Sequence, residues 1–358
     1  MKLYYYMPKF KTFKLMKYTT LIIICLFSLS LCAQQDDINR VDSKGRKQGL
    51  WKKYEKGKLE YVGQFTNGIP YGEFTYYHPN GKIKSTTNFY NGTEKVQTTL
   101  FHSNEQKAAE GMYLSQQKDG TWNYYSNGGV LIAVENYKKG AKNGDFKTYS
   151  AKTGLLVEEC TYINGLLHGE MRSYYDKDNV CAVIPYINGK RNGKTISYHY
   201  GNIISSQGIY HNNLKEGEWE FYDENGKLRK VIDYKGSQEM KKVMVFYIGS
   251  QQQRLNQNVI AYFQKTGNDK VEITLTNGTK IKITDDFLTI NIMADMVEFC
   301  KVSPSIIAAN RAIVGYQKID EEGITIKLKP DIGFEIYAEG DEAKMVKMLF
   351  NTELPKQE

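Results

Sequence analysis

The 358-residue chain is poor in the residues that usually build catalytic, metal or disulfide sites. It has five cysteines and five histidines, and no histidine lies after His211. Two of the cysteines, Cys25 and Cys32, precede residue 34. An exported protein that relied on disulfides would normally carry an even and denser set. We therefore expect buried free thiols at the three remaining positions, Cys160, Cys181 and Cys300.

Catalytic and metal-binding motifs are missing as well. No H-E-x-x-H, G-x-S-x-G, P-loop or C-x-x-C pattern occurs. Three histidines take equivalent places beside a turn in different copies of the repeat described below: His78, His102 and His199. Histidines in neighbouring copies would lie roughly 10 Å apart, which is too far for two ligands of one metal ion. We therefore expect solvated turn histidines rather than a metal site. Asp285-Asp286 could bind a cation or act as a carboxylate pair, although such a pair more often simply ends a strand. We assign no catalytic, cofactor-binding or metal residue, and we expect neither a cofactor nor a small-molecule substrate.

One apolar run stands out, from Leu21 to Leu31, and it is too short to span a bilayer, which takes roughly 20 residues. Five lysines lie before it and small residues follow it, a layout typical of a secretory signal peptide cleaved at Ala33-Gln34. Translation could also start at Met16. Lipid attachment at Cys32 is an alternative, for which the preceding Leu31 is unusual. The sequence predicts a signal peptide at 1–33, a short linker at 34–46, and export to the periplasm, the outer surface or the medium.

Charge of one sign is not in large excess. The whole chain carries a formal +8, of which the five signal lysines supply +5, leaving +3 for the mature protein. That is not the electrostatic footprint of a nucleic-acid-binding protein. We expect no nucleic-acid partner and no transmembrane helix.

What the chain does have is a glycine and aromatic pattern that recurs about every 24 residues. A fixed period of this length marks a repeat architecture. We number each unit from its opening residue as position zero. The eight units open at Gly49, Gly72, Val96, Gly120, Gly144, Gly169, Gly193 and Gly217.

Each unit predicts two short strands and two turns. Position five is aromatic in every unit, as Tyr125 illustrates, and position two is Trp or Phe in five units. Aromatic residues suit a pleated, half-buried surface. Asn-Gly pairs, such as Asn80-Gly81 in the first turn and Asn67-Gly68 or Asn91-Gly92 in the second, favour tight hairpin turns. The third unit, Val96 to Asp119, lacks its opening glycine and has Glu105 in its hairpin, so we expect any bend or local opening of the array there.

The period ends near residue 240, so we divide the chain into a repeat array at 47–240 and a C-terminal α+β module at 241–358. Alternating residues around Asn277-Gly278 predict a hairpin there. The module's expected role is to cap the array, because an exposed sheet edge invites aggregation. The predicted elements are strands at Val271–Thr276, Thr279–Thr284, Phe287–Met293, Ile324–Lys329 and Phe334–Ala338, and a helix at Asp341–Phe350.

The units resemble MORN-type repeats, in the variant form found in the YwqK-family antitoxin proteins. The pattern G-x-[WF]-x-x-Y-x-x-[ND]-G-x-[LI] fits Gly72 to Ile83 and Gly217 to Leu228, and it fits Gly49 to Leu59 with one deletion. The resemblance implies an array of β-hairpins with scaffolding or protein-binding roles, and it brings no active-site residue. The predicted fold is mainly β: an elongated single-layer antiparallel β-meander of about eight MORN-like hairpin repeats, followed by the small α+β module.

These observations favour a non-catalytic exported scaffold that binds another protein or a cell-envelope component through an aromatic sheet face. Repeat arrays present long regular surfaces and seldom carry catalysis alone. Two alternatives remain: an antitoxin-like protein that neutralises a partner toxin, and a hydrolase-like C-terminal module displayed on a repeat arm. The candidate interaction surface comprises the additional aromatics Tyr76, Tyr124, Tyr175 and Phe221.

Overall fold

The computed structural model describes residues 38–90, 94–295 and 297–351. The predicted signal peptide and the turn at Asn91-Gly92 lie outside these residues. The fold is mainly β, with 63% of residues in strands and 8% in helices, so the predicted fold class is confirmed. The chain divides into two compact units at Ala141 and Lys142.

The first unit is an antiparallel meander in which each strand pairs with the next along the chain. All the elements described in it are strands. They are β1 (Arg40–Val41), β2 (Lys47–Glu55), β3 (Lys58–Thr66), β4 (Ile69–Tyr77), β5 (Ile83–Tyr90), β6 (Lys95–Phe101), β7 (Lys107–Leu114), β8 (Gln117–Tyr125) and β9 (Leu131–Lys138).

The second unit begins with an antiparallel meander of the same repeat type, which continues beyond residue 240 to Asn256. The strands of the array are β10 (Ala141–Lys142, at the division), β11 (Gly144–Tyr149), β12 (Leu156–Ile163), β13 (Leu166–Leu167), β14 (Gly169–Tyr174), β15 (Val180–Ile187), β16 (Lys190–Arg191), β17 (Gly193–His199), β18 (Ile203–His211), β19 (Leu214–Tyr222) and β20 (Leu228–Lys235), followed by β21 (Gln238–Ile248) and β22 (Gln251–Asn256).

The turns follow from local backbone preferences. Asn67 and Gly68 have φ values of 53° and 81°, the left-handed pair that a type I′ hairpin requires and that Asn-Gly tolerates. In the third unit Glu105 takes φ 68° where the two adjacent units have Gly81 and Gly129. A side chain at positive φ is strained, so this turn forms against the preference of its own residue.

The C-terminal module contains two small sheets and two helices. Strands β23 to β27 form one antiparallel sheet in the order β25-β24-β23-β27-β26, and β28 to β30 form the other. The elements are β23 (Ile260–Lys265), β24 (Lys270–Leu275), β25 (Lys280–Asp286), α1 (Phe287–Met293), β26 (Phe299–Ser303), β27 (Ile306–Ala309), β28 (Ile313–Lys318), β29 (Ile324–Leu328), β30 (Ile336–Ala338) and α2 (Gly340–Asn351).

The hairpin around Asn277-Gly278 and the C-terminal helix are confirmed, but the strand predicted at Phe287–Met293 is wrong. That segment is the helix α1, whose first turn is capped by the Asp286 carboxylate accepting the Thr289 N–H at 2.7 Å. Phe287 and Ile290 are its buried residues, three positions apart as on one helix face. The apolar and β-branched composition of this short run concealed the helical period.

A buried ion pair joins the last repeat to the module. The Arg229 Nη1 atom lies 2.7 Å from Asp285 Oδ1, and the other oxygen of Asp285 accepts the Tyr247 N–H at 2.8 Å. Met244 and Phe246 of β21 belong to the module's core cluster. The end of the meander is therefore built into the C-terminal module rather than left as a free edge.

Candidate interaction surface

In each of the two compact units, one face of the meander carries a row of packed aromatic rings, which we call the ring face of that unit. Its residues are those of positions two and four together with the aromatic that closes each unit's second strand. In the first compact unit, the Phe74 ring lies between Phe65 and Phe89, with centroids 5.2 and 4.9 Å away and edge-on geometry at both. Such T-shaped pairs are the favoured arrangement of aromatic rings. Position-two rings thus pack between the closing rings of consecutive units.

Glycines in the neighbouring strand make room for these rings. A Cβ on Gly63 would lie 2.2 Å from the Phe74 ring, and a Cβ on Gly111 would lie 2.3 Å from the Trp122 ring. Gly208 and Trp219 repeat the arrangement at 2.2 Å. Side chains do not pack this closely, so only glycine fits beneath the ring.

Each of these glycines also lies at a break in strand register. The β7–β8 pairing skips from Glu110 to Met112, which leaves Gly111 as a bulge. The Met112 carbonyl accepts the Trp122 indole N–H at 3.0 Å, and the Ile209 carbonyl accepts that of Trp219 at 3.2 Å. The bulge therefore supplies both the space and the hydrogen-bond acceptor that a buried indole needs.

Cationic side chains lie over the same rings. The Lys118 Nζ atom is 4.6 Å from the Trp122 ring centroid and 5.0 Å from that of Tyr137. In the second compact unit, the Lys215 Nζ atom is 4.6 Å from the Trp219 ring centroid, and burial lowers the pKa of this amine. These are cation–π distances. The residue two places before the opening residue takes this role in five units: Lys47, Lys118, Lys142, Arg191 and Lys215.

Three of the four predicted surface residues lie on the ring face and are half-buried. Tyr76 packs against Tyr61 and Phe74, with centroids 5.7 and 6.3 Å away, and burial raises the pKa of its hydroxyl. Tyr124 lies 6.2 Å from Trp122 and hydrogen-bonds Lys118, and burial raises its pKa as well. The third is Phe221, which packs against the cluster of Trp219, Ile232 and Tyr234.

Tyr175 lies at position six, in a different environment from the other three. It is 51% exposed, and its hydroxyl donates to the Tyr198 carbonyl of the next repeat at 3.0 Å. His102 and His199 hold the same position and bond the carbonyls of Tyr125 and Tyr222 at 2.8 and 2.9 Å. The prediction of solvated turn histidines is therefore wrong for these two, because each is half-buried and ties one repeat to the next.

The position-five tyrosines belong to the opposite face of the sheet. The Tyr125 hydroxyl donates to Glu110 at 2.7 Å, and this bond raises its pKa to about 12. Tyr174 makes the equivalent bond to Glu159 at 2.6 Å. This face is thus organised by tyrosine–carboxylate pairs, whereas the ring face is organised by ring stacking.

The third repeat interrupts the ring face. Its position-two residue is Thr98, which pairs directly with Thr87 in the β5–β6 ladder, and this ladder runs from Ser85 to Tyr90 without a bulge. The two threonine hydroxyls lie 3.2 Å apart. A cavity of about 630 Å³ opens at this point between Tyr76, Phe89 and Tyr113. We call this cavity the ring slot.

No metal-binding cluster is found in the described residues. Among residues 38–90, 94–295 and 297–351, no group of three or more His, Cys, Asp and Glu side chains could hold a metal ion. Asp285 bonds Arg229, and Asp286 caps α1, so the two carboxylates serve separate structural purposes. Within the same ranges, no helix has the length and apolar character needed to cross a membrane.

Sequence reasoning missed the glycine bulges and the lysines over the rings. The signal was present: a glycine lies 11 residues before Phe74, Trp122 and Trp219, and basic residues recur two places before the opening glycine. The thiols behave largely as expected, since Cys160 and Cys300 are buried and burial raises the pKa of both to about 11. Cys181 is only half-buried.

Comparison with known proteins identifies the repeats. The family model described as MORN repeat variant matches residues 70–91, 167–188 and 215–235. At these three places the chain is similar to the MORN repeat variant. No curated protein sequence matches it.

Two solved structures that align with the chain illustrate a remote likeness. The LytTr DNA-binding domain of a putative methyl-accepting/DNA response regulator from Bacillus cereus is 8% identical, with a TM-score of 0.25, and the match covers 30% of this chain and 95% of that one. The Photorhabdus luminescens Tc holotoxin pore is 10% identical, with a TM-score of 0.15, over 81% of this chain and 16% of that one. Both TM-scores are below 0.5, so neither likeness bears on function.

Proposed function

We propose that this MORN-variant repeat protein is an exported, non-catalytic scaffold whose ring face binds another protein or a component of the cell envelope. The observation that carries the proposal is the ring face in residues 38–141. Aromatic rings and amines recur there at a fixed spacing, and every described element of that unit is a strand of the meander itself. No described helix or second sheet of that unit covers the face.

The chemistry of the ring face suits a macromolecular partner. Aromatic side chains and arginine are enriched in protein interfaces, because they bury a large area while keeping a polar group available. Lys47 contributes such a group, since its Nζ atom lies 4.6 Å from the Phe65 centroid and 3.1 Å from the Tyr61 hydroxyl. Rows of rings bordered by amines favour partners that offer apolar surface and carboxylates.

The arrangement of polar groups supports the non-catalytic part of the proposal. An enzyme needs several polar groups that converge on a reacting atom. The one carboxylate pair considered at the outset, Asp285-Asp286, is divided between an ion pair and a helix cap. This pair therefore gives the hydrolase-like alternative no support, whereas an antitoxin-like role would be one form of protein binding.

The binding proposal is tested by crosslinking and pull-down of the mature protein from its own cell envelope. The test variant combines Tyr76→Ser, Tyr124→Ser and Phe221→Ser on the ring face. The matched control combines three position-five changes on the opposite face: Tyr54→Ser, Tyr77→Ser and Tyr149→Ser. We expect the test variant to lose partners that the control retains, with circular dichroism used to check that both are folded. Undiminished recovery with the test variant would rule out the ring face as the binding site.

Export is tested separately. The basic start and the short apolar run predict a mature protein in the cell envelope or medium whose first residue is Gln34. Amino-terminal sequencing of the recovered protein checks this. A lipid-modified Cys32 would favour the anchored alternative, and an uncleaved cytoplasmic protein would contradict export.

A further inference from the structure

The ring slot is a gap in an otherwise regular row of residues. Cross-strand pairing places Phe74 opposite Thr87, Thr87 opposite Thr98, and Thr98 opposite Gly111. Because Trp122 covers Gly111, the two threonines form the part of this row that carries no ring. Both threonines are buried, so they form the floor of the slot.

Other repeats that lack a position-two aromatic keep a large side chain at one of the two places. In one of them it is Met171 at position two, with Cys160 11 residues earlier, and in the other it is Ile184, 11 residues before Thr195. Only the third repeat has small residues at both places, Thr87 and Thr98. Its lysine position is changed as well, because Glu94 stands where Lys118 stands in the next repeat.

The filled positions show what such a gap accommodates. Trp122 stands 4.9 Å from the closing ring of Tyr113, and Trp219 stands 5.0 Å from that of Tyr210. In the slot, Phe89 and Tyr113 are the corresponding closing rings, with no position-two ring between them. An aromatic ring placed there would lie between two closing rings, as the position-two rings do, and could contact each of them edge-on or face-on.

The size and polarity of the slot fit a small aromatic ligand. Its volume of about 630 Å³ lies within the range of roughly 300–1,000 Å³ typical of ligand sites. Apolar walls come from Tyr76, Phe89 and Val96. The indole N–H of Trp122 bonds a carbonyl freed by a bulge, but the ladder beside Thr87 has no bulge. The hydroxyls of Thr87 and Thr98 therefore take the place of that carbonyl as acceptors.

We propose that the ring slot binds one planar aromatic ring that carries a hydrogen-bond donor, of the indole or phenol class, and that the bound ring completes the row between Phe89 and Tyr113. This goes beyond the scaffold function, because the slot would bind such a ring whatever macromolecule the rest of the ring face contacts. The ring could belong to a free small molecule or to an aromatic side chain of a polypeptide.

The test uses fluorine NMR of 5-fluoroindole and of N-acetyl-5-fluorotryptophan amide, titrated into the full mature chain. We expect saturable line broadening with 5-fluoroindole. Saturable binding of the amide in addition would show that the slot admits a side chain attached to a backbone, and binding of 5-fluoroindole alone would assign it to free small molecules. Absence of saturable binding by both probes would overturn the proposal, as would equal competition by phenol and by cyclohexanol, which has a ring of the same size and a hydroxyl group but no π electrons.

Variants locate the binding. Thr87→Gly combined with Thr98→Trp recreates the glycine and ring pair of the next repeat and should weaken binding at least tenfold. Thr98→Leu fills part of the slot with a smaller change and decides the matter if the double variant does not fold. The control is Thr195→Val, which alters the same position in another repeat, where the Thr195 hydroxyl is buried without a partner, and it should leave binding unchanged. Binding that persists undiminished in folded Thr98→Leu and in the double variant would contradict the assignment.

Discussion

Gly111→Ala is the smallest change that tests how the ring face is built. The new methyl carbon would lie 2.3 Å from Cδ2, 2.4 Å from Cε2 and 2.5 Å from Cγ of Trp122. Ordinary carbon–carbon contacts are about 3.5–4.0 Å, so the indole must move by more than about 1 Å or the bulge must open. The indole is fully buried, is edge-on to Tyr113, and is bonded to the Met112 carbonyl. It therefore has little freedom to move.

The magnitude can be bracketed. Overpacking a core usually costs about 1–3 kcal/mol, and complete loss of a large aromatic from a core costs about 3–5 kcal/mol. Gly111→Ala should fall between these limits, at about 2–4 kcal/mol of lost unfolding free energy. The assay is urea denaturation followed by far-ultraviolet circular dichroism, which does not depend on the fluorescence of the residue under test.

Two comparisons separate the clash from a general effect of alanine. Gly315→Ala is the matched control, because Gly315 is also a strand glycine beside a register shift, it has no positive φ, and a Cβ there meets nothing within 4 Å. It should change stability by less than about 1 kcal/mol. In the background of Trp122→Leu, Gly111→Ala should lose most of its cost, because the ring is gone. Equal midpoints for Gly111→Ala and Gly315→Ala would refute the reasoning.

Three further predictions follow from the same structure. Arg229→Met leaves the buried Asp285 carboxylate without its cation, so the variant should lose about 3–5 kcal/mol of unfolding free energy in urea denaturation. Adding Asp285→Asn keeps the acceptor for the Tyr247 N–H and should recover part of that loss. The bond to Glu110 raises the pKa of Tyr125 to about 12, and burial raises the pKa values of Tyr137 and Tyr234 to about 12. Since the unfolded chain releases these protons near pH 10, the free energy of unfolding should be retained below pH 10 and fall between about pH 10 and 12. The fall should be shallower in Tyr125→Phe. Burial also raises the pKa of Cys160 and Cys300 to about 11, so a thiol reagent at pH 8 should label the half-buried Cys181 first and the other two only on unfolding, with Cys181→Ser removing the fast phase.

The repeat architecture could be predicted because it depends on local signals that recur. Asn67-Gly68 specifies its turn through two residues that tolerate positive φ, and the 24-residue period restates the strand pattern in each copy. Where the local turn signal was weak, as at Glu105, the pattern of the neighbouring repeats still predicted the hairpin. Repetition supplied information that a single unit lacks.

The features that could not be predicted depend on contacts between copies or on distant partners. Gly63 is a strand glycine that looks unfavourable until Phe74 of the next repeat is placed over it. Arg229 and Asp285 are 56 residues apart, and neither stands in a motif. The error at Phe287–Met293 has a different cause, because seven residues give too short a window to distinguish a helix from a strand.

The pairing of a ring in one repeat with a glycine in the previous repeat also explains why gaps in the ring face are informative. The rings of Phe74, Trp122 and Trp219 each lie over a glycine 11 places earlier, so ring and glycine must change together if the row is to stay filled. Cys160 with Met171 and Ile184 with Thr195 keep a larger residue on at least one side of the pair. Thr87 and Thr98 are small on both sides, yet their strands pair regularly and their hydroxyls lie within hydrogen-bonding distance. At this gap the glycine, the bulge and the freed carbonyl of a Gly–Trp pair are all absent, and two threonine hydroxyls form a polar floor instead. This is the arrangement expected of a site that receives its ring from outside the chain.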